Sequence, residues 1–149
     1  MAGRVRRFLY DTSIFVYALG GEHRYREPCR EIVHRAALGE LQGEGSTDLL
    51  QEFTHQRARR TGDRLEAVRS ARNIATLAWW HPLEPSDVQR GLDLFKHHSN
   101  LDARDAVFSA LALNRGIDAI LTTDRAFEEV AGLQRIDPAD ELAVATLIT

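Results

Sequence analysis

The chain has 149 residues, 44% of them hydrophobic and 28% charged, with 10 Gly and 4 Pro. This soluble-globular composition excludes disordered and fibrous classes and suits one compact domain, expected to span residues 1–149. The formal net charge of −3 argues against a protein held on duplex DNA by bulk charge.

No apolar stretch approaches the roughly 18 residues that span a bilayer. Residues 1–10 hold basic side chains but no apolar run of signal-peptide length, so a cytosolic protein with no membrane partner is expected. Cys29 stands alone, which leaves no intrachain disulfide and no Cys-rich zinc motif, in keeping with a reducing compartment.

In chain order, Arg7 to Tyr10 reads as a short strand entering the polar turn Asp11-Thr12-Ser13, and Ile14 to Leu19 as a helix stopped by Gly20-Gly21. Pro28 suits the first turn of a helix whose apolar face includes Ile32, Val33, Ala36 and Ala37, with Gly39 ending it. Leu41 to Thr47 could hold a short strand despite Gly43 and Gly45. Thr47 or Asp48 can cap the next helix, Leu49 to about Arg60, with Gly62 after it.

Leu65, Val68, Ala71 and Ala75 mark an amphipathic helix, and Ala78 to His81 a strand closed by Pro82 and Pro85. Ser86 with Gln89 reads as the capping box of a helix that carries Val88, Leu92 and Phe95. Asp102 or Asn100 can cap the helix holding Ala106 to Leu113, which Gly116 stops. Ala119 to Leu121 is a buried-type strand ending in Thr122-Thr123-Asp124, and Leu133 to Ile136 a last strand broken by Asp137-Pro138. Alternation of strand and helix without a repeat or linker predicts an α/β domain with a mostly parallel sheet.

In open α/β sheets, sites form beyond the carboxyl ends of the strands. Asp11 follows the first strand and Asp124 follows a later one. Glu52 lies early in the helix after the second strand, and Asp105 in the first turn of the helix before the Asp124 strand, so all four acids can converge. Grouped carboxylates with no nearby Cys suit hard, oxygen-seeking Mg²⁺ or Mn²⁺. Taken singly, Asp102 reads as an N-cap, Asp105 as a first-turn acid favoured by the helix dipole, Asp124 as the cap of a short helix, and Glu52 as a solvated helix residue. Asp11 interrupts an apolar passage, where a charge is costly unless used or paired.

The ordered set resembles the PIN-domain family. It is carried by Asp11-Thr12-Ser13, Glu52, Asp105-Ala106 and Thr122-Thr123-Asp124-Arg125-Ala126-Phe127. Within that family the chain looks most like the VapC ribonuclease toxins of toxin–antitoxin pairs. The resemblance covers essentially the whole chain, with the Thr122 to Phe127 segment as its most specific part, while residues 62–100 carry no family signature. It implies a three-layer α/β/α domain and an Mg²⁺- or Mn²⁺-dependent RNA endonuclease. The catalytic acids would be Asp11, Glu52, Asp105 and Asp124, with Asp11, Asp105 and Asp124 as metal ligands. Ser13 and Thr122 match small polar positions that support the pocket, and Asp102 is given a secondary role. A homodimer inhibited by a small VapB-like antitoxin is implied as well. The chemistry agrees: a divalent ion can activate water, neutralise a scissile phosphate and stabilise the leaving oxygen.

Arg104 and Arg125 adjoin pocket acids and are candidate RNA contacts. Arg57, Arg59, Arg60, Arg64, Arg69 and Arg72 form a basic stretch that reads as a solvated face or as phosphate contacts. Trp79-Trp80 could stack on bases, although a strand burying at least one ring is the plainer reading. His97-His98 lacks a third ligand. Among other enzymes, a haloacid-dehalogenase-type phosphatase would want an Asp where Ser13 stands. That class and receiver domains would also want a lysine after a late strand, whereas Lys96, the only lysine, falls in a predicted helix. A non-catalytic PIN-like binding module is the alternative of another class, and the four intact carboxylates speak against it.

Overall fold

Leu9–Tyr10 (β1) and Ala119–Leu121 (β4) lie side by side at the centre of a five-stranded sheet ordered β3-β2-β1-β4-β5. The other strands are Gly43–Ser46 (β2), Ala78–His81 (β3) and Gln134–Ile136 (β5), and every neighbouring pair is parallel. The structure is a computed structural model that describes residues 6–149. Residues 1–5, the start of the stretch read as having no leader, lie outside the described residues.

Helices connect the strands: Thr12–Leu19 (α1), Arg26–Ala37 (α2), Thr47–Thr61 (α3), Arg64–Ala75 (α4), Pro85–His97 (α5), Ala103–Asn114 (α6) and Glu141–Ala145 (α7), the last not anticipated from the sequence. Alternation along the strands sorts them into three layers. Phe8, Tyr10, Ala119 and Leu121 point into one core with Ile14, Phe15, Ile32, Leu49, Phe53 and Ile74 from α1 to α4. Leu9 and Ile120 point the other way, against Ala106, Phe108 and Leu111 of α6 and Phe127. The expected α/β/α arrangement is therefore present. None of the described helices is long and apolar enough to cross a membrane.

Several local readings need correction. The cap of α3 is Ser46, whose side chain accepts from Asp48 N, and not Thr47 or Asp48. The capping box of α5 is Glu84 with Asp87, two residues earlier than Ser86 with Gln89. Helix α4 buries Ala67, Ser70 and Ile74, leaving Leu65 and Val68 exposed. Helix α5 likewise buries Asp87 and Gly91 and exposes Leu92 and Phe95.

The reason at α5 is close packing on α6, because a Cβ at Gly91 would stand 2.6 Å from Val107 Cγ2 and 2.7 Å from Val107 Cα. The backbones meet there, and the larger apolar side chains are turned aside. Asp87, 0% exposed, bonds Arg115 and Asn114 at 2.8 Å each and so ties the start of α5 to the end of α6. Of the tryptophans, Trp80 packs against the core and donates to Ala75 O at 2.8 Å, while Trp79 is 72% exposed.

Candidate active site

Because β1 leads to β2 on one side and β4 lies on the other, the sheet order reverses at the β1–β4 boundary, where a crevice opens beyond the carboxyl ends of parallel strands. Asp11 N donates to Leu121 O at 3.0 Å, so the residues following the two strands are held together. Asp11 occupies the N-cap position of α1 but makes no side-chain cap bond. Its Oδ2 instead accepts from Thr122 Oγ1 at 2.7 Å, both residues being buried. Burial pushes the Asp11 carboxyl above the usual range, opposed by the hydroxyls of Ser13 and Thr122. Ser13 Oγ also accepts from Thr123 N at 3.3 Å, and Thr122 Oγ1 accepts from Asp124 N at 3.0 Å. The small polar residues thus lock the turn after β4 onto the start of α1.

Glu52 reaches this crevice from the second turn of α3, where Thr12 Oγ1 donates to its Oε2 at 3.3 Å. Gln56 and Arg104 donate to its Oε1 at 3.1 and 3.2 Å. Asp102 is the N-cap of α6, accepting from Asp105 N at 2.8 Å, so its reading as a cap holds. Asp124 likewise caps the 3₁₀ turn Arg125–Glu129 through Ala126 N at 2.9 Å.

Asp105 is half-buried, and its carboxyl is pushed up to about 8 by burial first, then by the charges of Asp11, Asp102, Asp124 and Glu52. One carboxyl feels every acid singled out from the sequence. In this arrangement no three His, Cys, Asp or Glu side chains among the described residues stand close enough to enclose a metal ion.

Two supports were not foreseen. Thr12 holds Glu52, and its place in Asp11-Thr12-Ser13 was the available signal. Arg135, nearly buried on β5, donates to Thr122 O at 3.3 Å and Thr123 O at 3.0 Å and to Asp137 and Glu128, fixing the turn from below. No sequence pattern marked it. Arg104 is exposed and paired with Glu52, whereas Arg125 is exposed 3.8 Å from Glu128. His98 Nδ1 is 2.8 Å from Leu94 O, a contact from the C-cap back to the last turn of α5 that gives it a structural place.

The PIN-domain family model matches residues 8–133. Ribonuclease VapC7 of Mycobacterium tuberculosis is 35% identical over 132 residues, covering 86% of this chain and 89% of the relative. The chain belongs to the PIN-domain family, among the VapC ribonucleases. PIN-domain ribonucleases as a class depend on divalent metal ions.

Solved structures share the PIN fold at low identity. VapBC2 from Rickettsia felis, bound to a DNA fragment from its promoter, aligns with a TM-score of 0.67 at 11% identity over 87% of this chain and 97% of its own. The sarcin–ricin-loop-cleaving toxin VapC20 of Mycobacterium tuberculosis aligns with a TM-score of 0.65 at 17% identity over 85% and 98%.

Proposed function

We propose that this PIN-domain chain is the endoribonuclease toxin of a toxin–antitoxin pair, a cytoplasmic enzyme that hydrolyses RNA with Mg²⁺ or Mn²⁺ at the crevice of Asp11, Glu52, Asp105 and Asp124. The observation that carries the reading is the Asp105 carboxyl, held near 8 by burial and by all four neighbouring acids. Carboxylates set against one another in this way attract a cation, and an all-oxygen donor set fits a hard divalent ion. Asp11, Asp105 and Asp124 would hold it by drawing closer than they stand here, where no three such side chains among the described residues enclose an ion. When bound, the ion would lower the pKa of water and neutralise charge on the scissile phosphate.

The chain's own residues do the rest. Thr122 and Ser13 orient Asp11, Thr12 and Gln56 aim Glu52, and Asp102 fixes the first turn of α6 so that Asp105 faces the crevice. Glu52 would accept a proton from the attacking water. The substrate is RNA with a single-stranded loop, whose bases can be splayed, unlike those hidden in an A-form helix.

A partner reading accompanies this one. A groove of about 640 Å³ between α3, α5 and α6 combines the acids Asp48 and Glu52 with Leu83, Val88, Leu92 and Phe108. An antitoxin segment bearing Arg and apolar anchors suits it, and the charge pairing would add to simple blockage. We read the 149 residues as one such domain, acting as a homodimer. Co-purification with a small DNA-binding protein encoded beside it would support the pairing, and a monomer with no partner would argue against it.

The test is cleavage of a structured RNA in chelator, followed by added Mg²⁺ or Mn²⁺. Activity should vanish and return. Undiminished cleavage in excess chelator would remove the metal mechanism.

A further inference from the structure

Helices α1 and α3 run alongside each other from the acidic crevice outward. At the crevice end Thr12 bonds Glu52, and at the far end Arg57 donates to Leu19 O at 2.9 Å. Between these ties lies a second groove, of about 370 Å³, floored by Val16, Leu19 and Phe53 and edged by Gln56, Arg59 and Arg60. Its charge is opposite to that of the α3–α5–α6 groove, because no acidic side chain lines it among the described residues. Arg57 is neutralised by Glu66, which it meets at 2.8 and 3.1 Å, but Arg59 and Arg60 form no ion pair among the described residues. Both are exposed, and the Arg60 guanidinium lies against Gly20 at the end of α1.

Gln56 belongs to both places, since it bonds Glu52 and also edges the groove. Glu52 and Arg60 are eight residues apart on one helix, about 12 Å at 1.5 Å per residue. A few nucleotides of a single strand would span that distance.

We infer that the α1–α3 groove carries the RNA strand leaving the acidic crevice, with Arg59 and Arg60 binding backbone phosphates and the accessible apolar side chains of Val16 and Leu19, backed by the buried Phe53, receiving a base. The inference rests on the endoribonuclease reading. It explains how an acidic centre in a chain of negative net charge holds a polyanion: beside the crevice, where Arg104 is taken up by Glu52, the α1–α3 groove offers two arginines that no acid neutralises among the described residues. Arginine suits the task because its planar fork matches phosphate oxygens. A cationic groove that follows the backbone is a feature of single-strand binding.

The test compares two double variants in an Asp11→Asn background, which blocks cleavage, using a short dye-labelled single-stranded RNA and fluorescence anisotropy across about 50 to 200 mM salt. Arg59→Ala with Arg60→Ala should weaken binding and flatten the log–log salt slope by about 1.4, since each lost phosphate contact on a single strand removes about 0.7. Arg69→Ala with Arg72→Ala, exposed on α4 outside the groove lining, should leave the slope near that of the parent. An unchanged slope and affinity for the Arg59–Arg60 pair, while the parent binds RNA and the wild type cleaves it, would overturn this inference alone. Unchanged RNA binding with lost inhibition by the co-purified antitoxin would reassign the groove to that partner and also overturn it. No RNA binding by the parent and no metal-dependent cleavage by the wild type would overturn both readings.

Discussion

Thr122 Oγ1 donates a 2.7 Å hydrogen bond to Asp11 Oδ2 across a separation of 111 residues, inside the protein. The bond joins the turns after the two central strands. It also favours the ionised form of a carboxylate whose burial favours the protonated one.

Thr122→Val keeps the shape and removes the donor. A hydrogen bond to a charged group contributes about 1.5–3 kcal/mol, so thermal melts should show a loss of that order. The Asp11 carboxyl should move still further above the usual range, shifting the acid limb of the pH–rate profile to higher pH. Thr122→Ser should restore most of both, and a Val variant with wild-type stability and profile would show the bond to be incidental.

The Asp105 carboxyl gives a pH dependence of definite sign. Its folded value of about 8 lies above an unfolded value of about 4. The native state therefore holds the proton more tightly, and that stabilisation, complete below pH about 4, is lost as pH rises through about 8. In chelator, Asp105→Asn should melt progressively higher than wild type as pH is raised from 5 to 9. Millimolar Mn²⁺ should narrow the gap by stabilising the wild type, by about 2.7 kcal/mol at a hundredfold excess over Kd, and stabilise Asp105→Asn much less. Equal Mn²⁺ shifts in both proteins would make Asp105 a helix-start acid and nothing more.

Tyr10 carries a buried hydroxyl without a hydrogen-bond partner among the described residues. Its ring covers Gly43 so closely that a Cβ there would overlap it. Since an unsatisfied buried hydroxyl costs about 1–3 kcal/mol, Tyr10→Phe should be at least as stable as wild type by chemical denaturation. Marked destabilisation would mean the hydroxyl is satisfied.

Gly91→Ala sets two effects against each other. Replacing a mid-helix glycine gains about 1 kcal/mol of helix propensity, while overpacking costs about 1–3 kcal/mol. Because the new Cβ would meet Val107 Cα at 2.7 Å, backbone must move, and net destabilisation is expected. Val107→Ala should not rescue it, since the Cα remains.

These glycines explain where sequence reading succeeded and where it did not. The acids were legible because chain order and strand ends suffice to place Asp11, Asp105 and Asp124 on one rim, and the apolar β1 and β4 mark the centre of the sheet. Strand β2 reads Gly-Glu-Gly-Ser, yet it is fully buried, because glycine lets the Tyr10 and Trp80 rings lie on its backbone. Glu44 on that strand is buried against Arg7 and His81, at 2.7 and 2.8 Å, a partnership of distant residues with no local pattern. The faces of α4 and α5 were misassigned for a related reason. Small residues such as Ala67 and Gly91 win the close contacts, and Leu65, Val68, Leu92 and Phe95 are left outside.

The most direct test of the acidic crevice is turnover of Asp105→Asn and Asp102→Asn against wild type on one RNA in Mn²⁺, with folding checked by circular dichroism. The account predicts a loss of orders of magnitude for Asp105→Asn, and a smaller effect for Asp102→Asn, whose side chain caps α6. A folded Asp105→Asn enzyme with nearly wild-type turnover would contradict it.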